Sequence, residues 1–198
     1  METENLPVTA LLQYFEKIFP LNNQEREEIA KNFTERSVKR RAMILQQDDI
    51  CKHFTFVVKG CFKMYVVDMG GKEHNLQFAV ENDWITDLSS FYAAEPSNVY
   101  IEAMEHSVVL QIKHDDLLEL YIKYHKFDRN FRIIVERKYI ELQNRMLQNI
   151  SLTANIRYIQ FIKKNPHLAN RLPGSQIASY LGITPEFLSK VKKEIAHK

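Results

Sequence analysis

Glu186, Ser189, Lys190 and Lys193 are the side chains of this chain best suited to meeting a ligand, and all four lie in one stretch, LPGSQIASYLGITPEFLSKVKK, residues 172–193. On a helix whose Leu188, Val191 and Ile195 turn toward a core, these four fall on the free outer side. A glutamate there can accept from cytosine N4, a lysine can donate to guanine O6 and N7 or to a phosphate, and a serine can do either. This is the chemistry of reading an edge, with no bond made or broken. Thr184, just ahead of them, reads as the N-cap of the same helix.

The elements that position these residues are written into the stretch itself. Gln176 to Leu181 reads as a short helix with Ile177, Ala178 and Leu181 on one face. Gly182 suits the left-handed residue that ends such a helix. Ile183 fills the turn, Thr184 caps, Pro185 takes the first helical position and Glu186 sits near the positive helix end. Ala178 is small enough to let two helices cross closely. Two short helices, a glycine turn and a basic outer face predict a helix-turn-helix that reads double-stranded DNA.

The charge distribution agrees. The 198-residue chain has a formal net charge of only +2, but residues 129–198 hold 13 Lys and Arg against 4 Asp and Glu, a net +9. Residues 1–128 hold 14 against 21, a net −7. A basic C-terminal part carried on an acidic N-terminal part is the layout of a nucleic-acid reader joined to something else.

Other chemistry finds little footing. Cys51 and Cys61 are the only cysteines and form no CxxC; both read as reduced, core-type thiols of a cytoplasmic protein. His74, His106 and His114 lack metal-ligand spacing. Asp115-Asp116 reads as a helix start and not as a catalytic carboxylate pair. There is no phosphate loop and no nucleophile motif, so neither an enzyme, a metal nor a cofactor is expected. No apolar run approaches the roughly 18 residues of a membrane span, and the N-terminus has acids where a signal peptide has bases.

Along the chain, residues 8–19 and 23–33 read as two short amphipathic helices broken by Pro20. From Ala42 to Ile112 apolar residues alternate in short runs: Phe54/Phe56/Val58, Phe62/Met64/Val66, Leu76/Phe78/Val80, Val99/Ile101/Ala103 and Val108/Leu110/Ile112. Lys59-Gly60 and Gly70-Gly71 mark turns. Evenly spaced short strands ahead of a run of helices predict an α+β chain with a barrel-like roll. Leu117, Leu118, Leu120 and Tyr121 form a short helix, and a long one runs from Phe127 to Ile150. On the long helix Phe131, Val135, Tyr139, Leu142, Met146 and Ile150 form one stripe, and Ile133, Ile140 and Leu147 a second. Two stripes need two partners: the roll for one, and a second copy of the helix across a two-fold axis for the other. Ser151 to Lys164 predicts a further helix, stopped near Asn165-Pro166.

Small helices, a roll, a long dimer-type helix and a C-terminal helix-turn-helix together resemble the Crp/Fnr family of bacterial transcription regulators, over nearly the whole chain. Val57-Val58-Lys59-Gly60 resembles the family's strand-then-glycine VKG turn. Asn82-Asp83-Trp84-Ile85-Thr86-Asp87-Leu88 sits where the family has its GDxxGEL phosphate-binding stretch. The resemblance implies a double-stranded β-helix of the cyclic-nucleotide-binding type over residues 1–126, a dimerisation helix at 127–150 and a DNA-binding helix-turn-helix at 151–198. It implies a homodimer on a palindromic operator, RNA polymerase as a further partner, an unidentified small-molecule effector, and no membrane partner.

Departures from the family pattern fall on the effector slot and on the reading helix. Cyclic-nucleotide-binding members hold the cyclic phosphate on backbone N–H groups of the glycine stretch and on an arginine, and the ribose on a glutamate. Here Asn82 and Thr86 replace the glycines, Asp87 the glutamate and Ser97 the arginine. A serine gives one neutral donor where an arginine gives a charged fork. Thr86, Asp87, Leu88, Ser97 and Asn98 are therefore candidate pocket residues of a slot not expected to bind cyclic AMP. At the DNA end Pro185 takes the position of a base-reading arginine, while Glu186 and Lys190 match charged reading positions. The family's wing hairpin would follow the recognition helix; with the sequence given ending at Lys198, a full wing is not expected. The competing reading is a ligand-sensing or partner-binding module whose truncated helix-turn-helix no longer reads DNA.

Overall fold

The structure, a computed structural model, describes residues 6–196. In chain order the elements are α1 (Leu6–Glu16), α2 (Asn23–Asn32), β1 (Thr34–Val38), β2 (Met43–Leu45), β3 (His53–Lys59), β4 (Phe62–Val67), β5 (Glu73–Ala79), β6 (Trp84–Ile85), α3 (Leu88–Ala93), β7 (Tyr100–Ala103), β8 (Ser107–Lys113), α4 (His114–Lys123), α5 (His125–Ser151), α6 (Ala154–Lys164), α7 (Pro166–Arg171), α8 (Gly174–Leu181) and α9 (Pro185–Ala196). They form two units. The first comprises the chain up to Val66 together with Gln77–Ile134, and the second comprises Val67–Leu76 together with Val135 onward.

The first unit is the roll expected from the alternating runs. One sheet has the order β1-β8-β3-β6 and the other β2-β7-β4-β5. Antiparallel pairing places Phe56 opposite Leu110 and Met64 opposite Ile101, so the apolar residues of neighbouring strands share a face. Trp84 is the hub of the core. Its ring lies 5.0 Å from Phe56, 5.1 Å from Phe54 and 5.3 Å from Phe131, mostly edge to face. Phe15 of α1 joins at 5.7 Å from Phe131.

A register shift between Val57 and Lys59 on β3 precedes the VKG turn. Gly60 there has φ +111°, and a Cβ on it would lie 2.8 Å from the Cα of Ser107. Glycine is required at this turn on both counts. Helix α2 opens with a reciprocal capping box, in which the Asn22 side chain accepts from Glu25 N and Glu25 accepts from Asn22 N.

Five short elements were not anticipated: β1, β2, β6, α3 and α7. Strand β1 carries TERSV, polar at four of five positions with only Val38 buried, as suits an edge strand. Helix α3 is one and a half turns of LSSFYA, too short for a periodic signal.

In the second unit, α6 ends at Lys164, where the N–H of Asn165 bonds back to Phe161 O. Pro166 then opens α7 at its first position, so the proline that was expected to stop one helix also starts another. Tyr180 of α8 lies 5.6 Å from Phe161 of α6, with the guanidinium of Arg145 4.4 Å from its ring. Residues 67–76, the tip of the β4–β5 hairpin, pack onto α8. Buried Asn75 donates from its side chain to Gln176 O and Oε1, at 3.0 and 2.8 Å, and its N–H donates to Ser179 Oγ.

Candidate nucleic-acid interface and effector slot

Helices α8 and α9 realise the helix-turn-helix residue by residue. Gly182 ends α8 in the left-handed region, at φ +67°. The Thr184 hydroxyl accepts from Phe187 N at 3.2 Å, the capping bond its residue type predicts. Ile177, Ala178 and Leu181 of α8 are buried, as are Leu188 and Val191 of α9. Thr184, Glu186, Ser189, Lys190 and Lys193 all stand exposed on α9 or its cap. The hydroxyl of Ser189 donates to Pro185 O at 3.0 Å, which leaves its oxygen free only to accept. The carboxyl of Glu186 titrates below the ordinary carboxylate range, held there by its own backbone N–H and by the Thr184 hydroxyl. It is thus an anion at neutral pH, able to accept hydrogen bonds.

Sequence reasoning passed over Phe187. It lies off the Leu188–Val191–Ile195 line, and that offset was the available signal; its side chain is exposed, one residue after Glu186 and three before Lys190.

The stretch aligned with the phosphate slot lies in the first unit. Asp87 caps α3: its Oδ1 accepts from Ser89 N at 3.1 Å and from Ser90 N at 3.4 Å. Its Oδ2 accepts from Ser97 Oγ at 2.7 Å. Ser97 is buried, and its oxygen also accepts from Val99 N. Thr86 donates to Ile85 O and accepts from Thr55 N. Leu88 is half-buried, and Asn98 is exposed. The structure therefore brings Thr86, Asp87, Leu88 and Ser97 together and leaves Asn98 outside the bonded set. Asn82 keeps a left-handed backbone at φ +66°, as a glycine would; Thr86 does not.

Lys63 is the one buried lysine or arginine among the described residues. Its ammonium lies 3.0 Å from Glu102 and 4.1 Å from the centre of the Tyr65 ring, which stacks on Tyr100. Apart from the Lys63–Glu102 pair, a small recess is lined by Ile44, Cys51, Lys52, His53, Thr55 and Gln111 among others. Burial pushes the Cys51 thiol up and, helped by Arg36, Lys113 and Lys52, pushes His53 down. At neutral pH both are uncharged.

On α5, Phe127, Asn130, Phe131 and Ile134 are buried in the first unit. Phe131 was expected on the dimer stripe; it is instead enclosed in the aromatic core around Trp84 and must be removed from that stripe. Val135 is half-buried. Beyond it Tyr139, Ile140, Leu142, Met146, Leu147 and Ile150 are all 53–76% exposed. The two apolar stripes are thus divided along the helix, and not around it. The roll takes the first turns of both, and the remaining turns of both are bare.

A β-roll of this topology followed by a long helix and a C-terminal helix-turn-helix is an arrangement shared with solved structures. In fold the chain is similar to solved structures that include a regulator of the Crp/Fnr family. Residues 35–124 match the cyclic nucleotide-binding domain. The chain is 27% identical to the probable transcriptional regulator flp of Lacticaseibacillus casei, over 96% of this chain and 87% of that protein. FixK2 from Bradyrhizobium japonicum shares the fold with a TM-score of 0.74 at 19% identity, covering 83% of this chain and 85% of FixK2. A putative Crp/Fnr-family regulator from Eubacterium rectale does so with a TM-score of 0.71 at 16% identity, covering 93% and 88%. No helix among the described residues is long and apolar enough to cross a membrane.

Proposed function

We propose that the chain is a homodimeric, sequence-specific DNA-binding regulator of the cytoplasm, without catalytic activity, whose slot takes no cyclic nucleotide. In this reading residues 1–126 are the sensor, 127–150 the dimerisation helix and 151–198 the DNA reader. The observation that carries it is α9: a capped helix behind a left-handed glycine, presenting Glu186, Ser189, Lys190 and Lys193 outward in the part of the chain that holds the net positive charge.

Dimerisation is supported by the bare turns of α5. Each large apolar side chain there regains on the order of 1 kcal/mol or more when a second copy covers it. A two-fold dimer sets two recognition helices about 34 Å apart, in successive major grooves, so its site is an inverted repeat. RNA polymerase is the partner through which a regulator so placed acts.

Exclusion of a cyclic nucleotide is supported by the Asp87 carboxylate. It accepts the two N–H groups at the start of α3 and the buried Ser97 hydroxyl, and no arginine or lysine lies between Asn82 and Glu102. An incoming phosphate would meet a negative charge already holding those donors.

A gel shift with the full chain on genomic fragments tests the reading. Retarded fragments that share an inverted repeat, with affinity falling steeply as salt rises, are expected. Lys190→Ala should cost about 1–3 kcal/mol and relax preference at one base pair. A protein that retards no fragment, or retards all equally, is the partner-binding module of the competing reading.

A further inference from the structure

We infer that Phe187 is a specificity-determining residue that reads the 5-methyl group of a thymine; the inference rests on the DNA-binding reading above. Phe187 is 45% exposed and lies in the first turn of α9, directly after Glu186 and three residues before Lys190. Its backbone N–H is fixed by the Thr184 hydroxyl at 3.2 Å, so the turn that carries it is anchored. Leu188 and Val191 already fill the inner side of the helix and are buried.

Leaving half a phenyl ring in water is unfavourable in the free protein, and covering it is favourable once a partner arrives. The residues at the start of a recognition helix are those that meet base edges. The major groove offers donors and acceptors nearly everywhere; its apolar feature is the thymine methyl. Phe187 cannot hydrogen-bond, so cytosine or a purine edge at its position leaves that edge's polar groups unpaired against a phenyl face. Glu186 and Lys190, which share the neighbouring face of the helix four residues apart, supply the polar contacts that set the helix in register. The three together describe a half-site in which a thymine lies beside the base pairs read by the charged residues.

The test uses the full chain. Duplexes enriched from a random pool define the half-site, and each thymine in it is then replaced by uracil, which removes only the methyl. Wild-type protein should lose about fourfold in affinity at one thymine per half-site, the equivalent of about 0.8 kcal/mol for one apolar carbon. Replacing it in both half-sites should cost about fifteenfold. Phe187→Ala should bind the thymine and uracil duplexes equally, while Phe187→Leu should keep part of the preference. If wild type is indifferent to uracil at every position, or if Phe187→Ala keeps the full thymine preference, the inference is wrong while DNA recognition stands. If no sequence is enriched at all, the DNA-binding reading fails and this inference fails with it.

Discussion

Ser97 Oγ donates to Asp87 Oδ2 at 2.7 Å. These two residues stand where the resemblance sets the phosphate-holding arginine and the ribose-holding glutamate of a cyclic-nucleotide pocket. Here they satisfy each other, and Asp87 also holds the N–H groups of Ser89 and Ser90. A half-buried carboxylate with three donors gains little by exchanging them for a ligand of the same charge sign.

Cyclic AMP and cyclic GMP should therefore give no binding heat at micromolar concentrations in isothermal titration, and neither should change DNA affinity. A dissociation constant in the low micromolar range, or DNA binding that requires either nucleotide, would overturn this reading of the slot.

Gly60→Ala should destabilise the first unit by about 3 kcal/mol or more, through a left-handed backbone and a clash with the Ser107 backbone. Chemical denaturation followed by tryptophan fluorescence measures it, because Trp84 is the hub of that core. A cost under about 1 kcal/mol, well short of what such strain implies, would contradict the turn geometry.

Glu25 links stability to pH. Burial alone would raise its pKa, but bonds from Lys126, at 2.8 Å, and from Asn22 N outweigh burial and hold it below the ordinary value. A depressed folded-state pKa gives stability that is fully present above the unfolded pKa and is lost as pH falls through the folded one. Denaturation midpoints should therefore drop as pH falls below the normal carboxylate range. Glu25→Gln should flatten part of that slope and lower the midpoint at neutral pH. An unchanged slope would show that Glu25 is not a contributor.

Tyr139→Asp combined with Leu142→Asp should give a folded monomer in sedimentation at micromolar concentration, with DNA affinity lost. Both side chains are exposed in the single chain, so the substitutions remove no packing from it. Wild-type protein that sediments as a monomer at that concentration would contradict the two-fold arrangement.

The helix-turn-helix was legible because its punctuation is local. Gly182, Thr184 and Pro185 each fix their own backbone, and each does so as its residue type requires. The roll was legible from alternation, apart from the polar edge strand β1, the two- and three-residue strands β6 and β2, and the brief α3. What the sequence could not show is long-range. The side chain of Asn75 bonds to a residue 101 positions away, and no local pattern announces it. Helical periodicity identified the apolar stripes of α5 but not where along the helix the roll stops covering them, which is why Phe131 was misplaced. The effector slot was half legible: the missing glycines and arginine were visible, but the Asp87–Ser97 bond required the fold.

Genome-wide footprinting of the native protein tests the central claim most directly. The account predicts protected inverted repeats whose half-site centres lie about 10 base pairs apart, one helical turn. It predicts that the footprints weaken with salt at a log–log slope near −0.9 per phosphate contacted. Uniform protection without a shared sequence, or no protection at all, would contradict it.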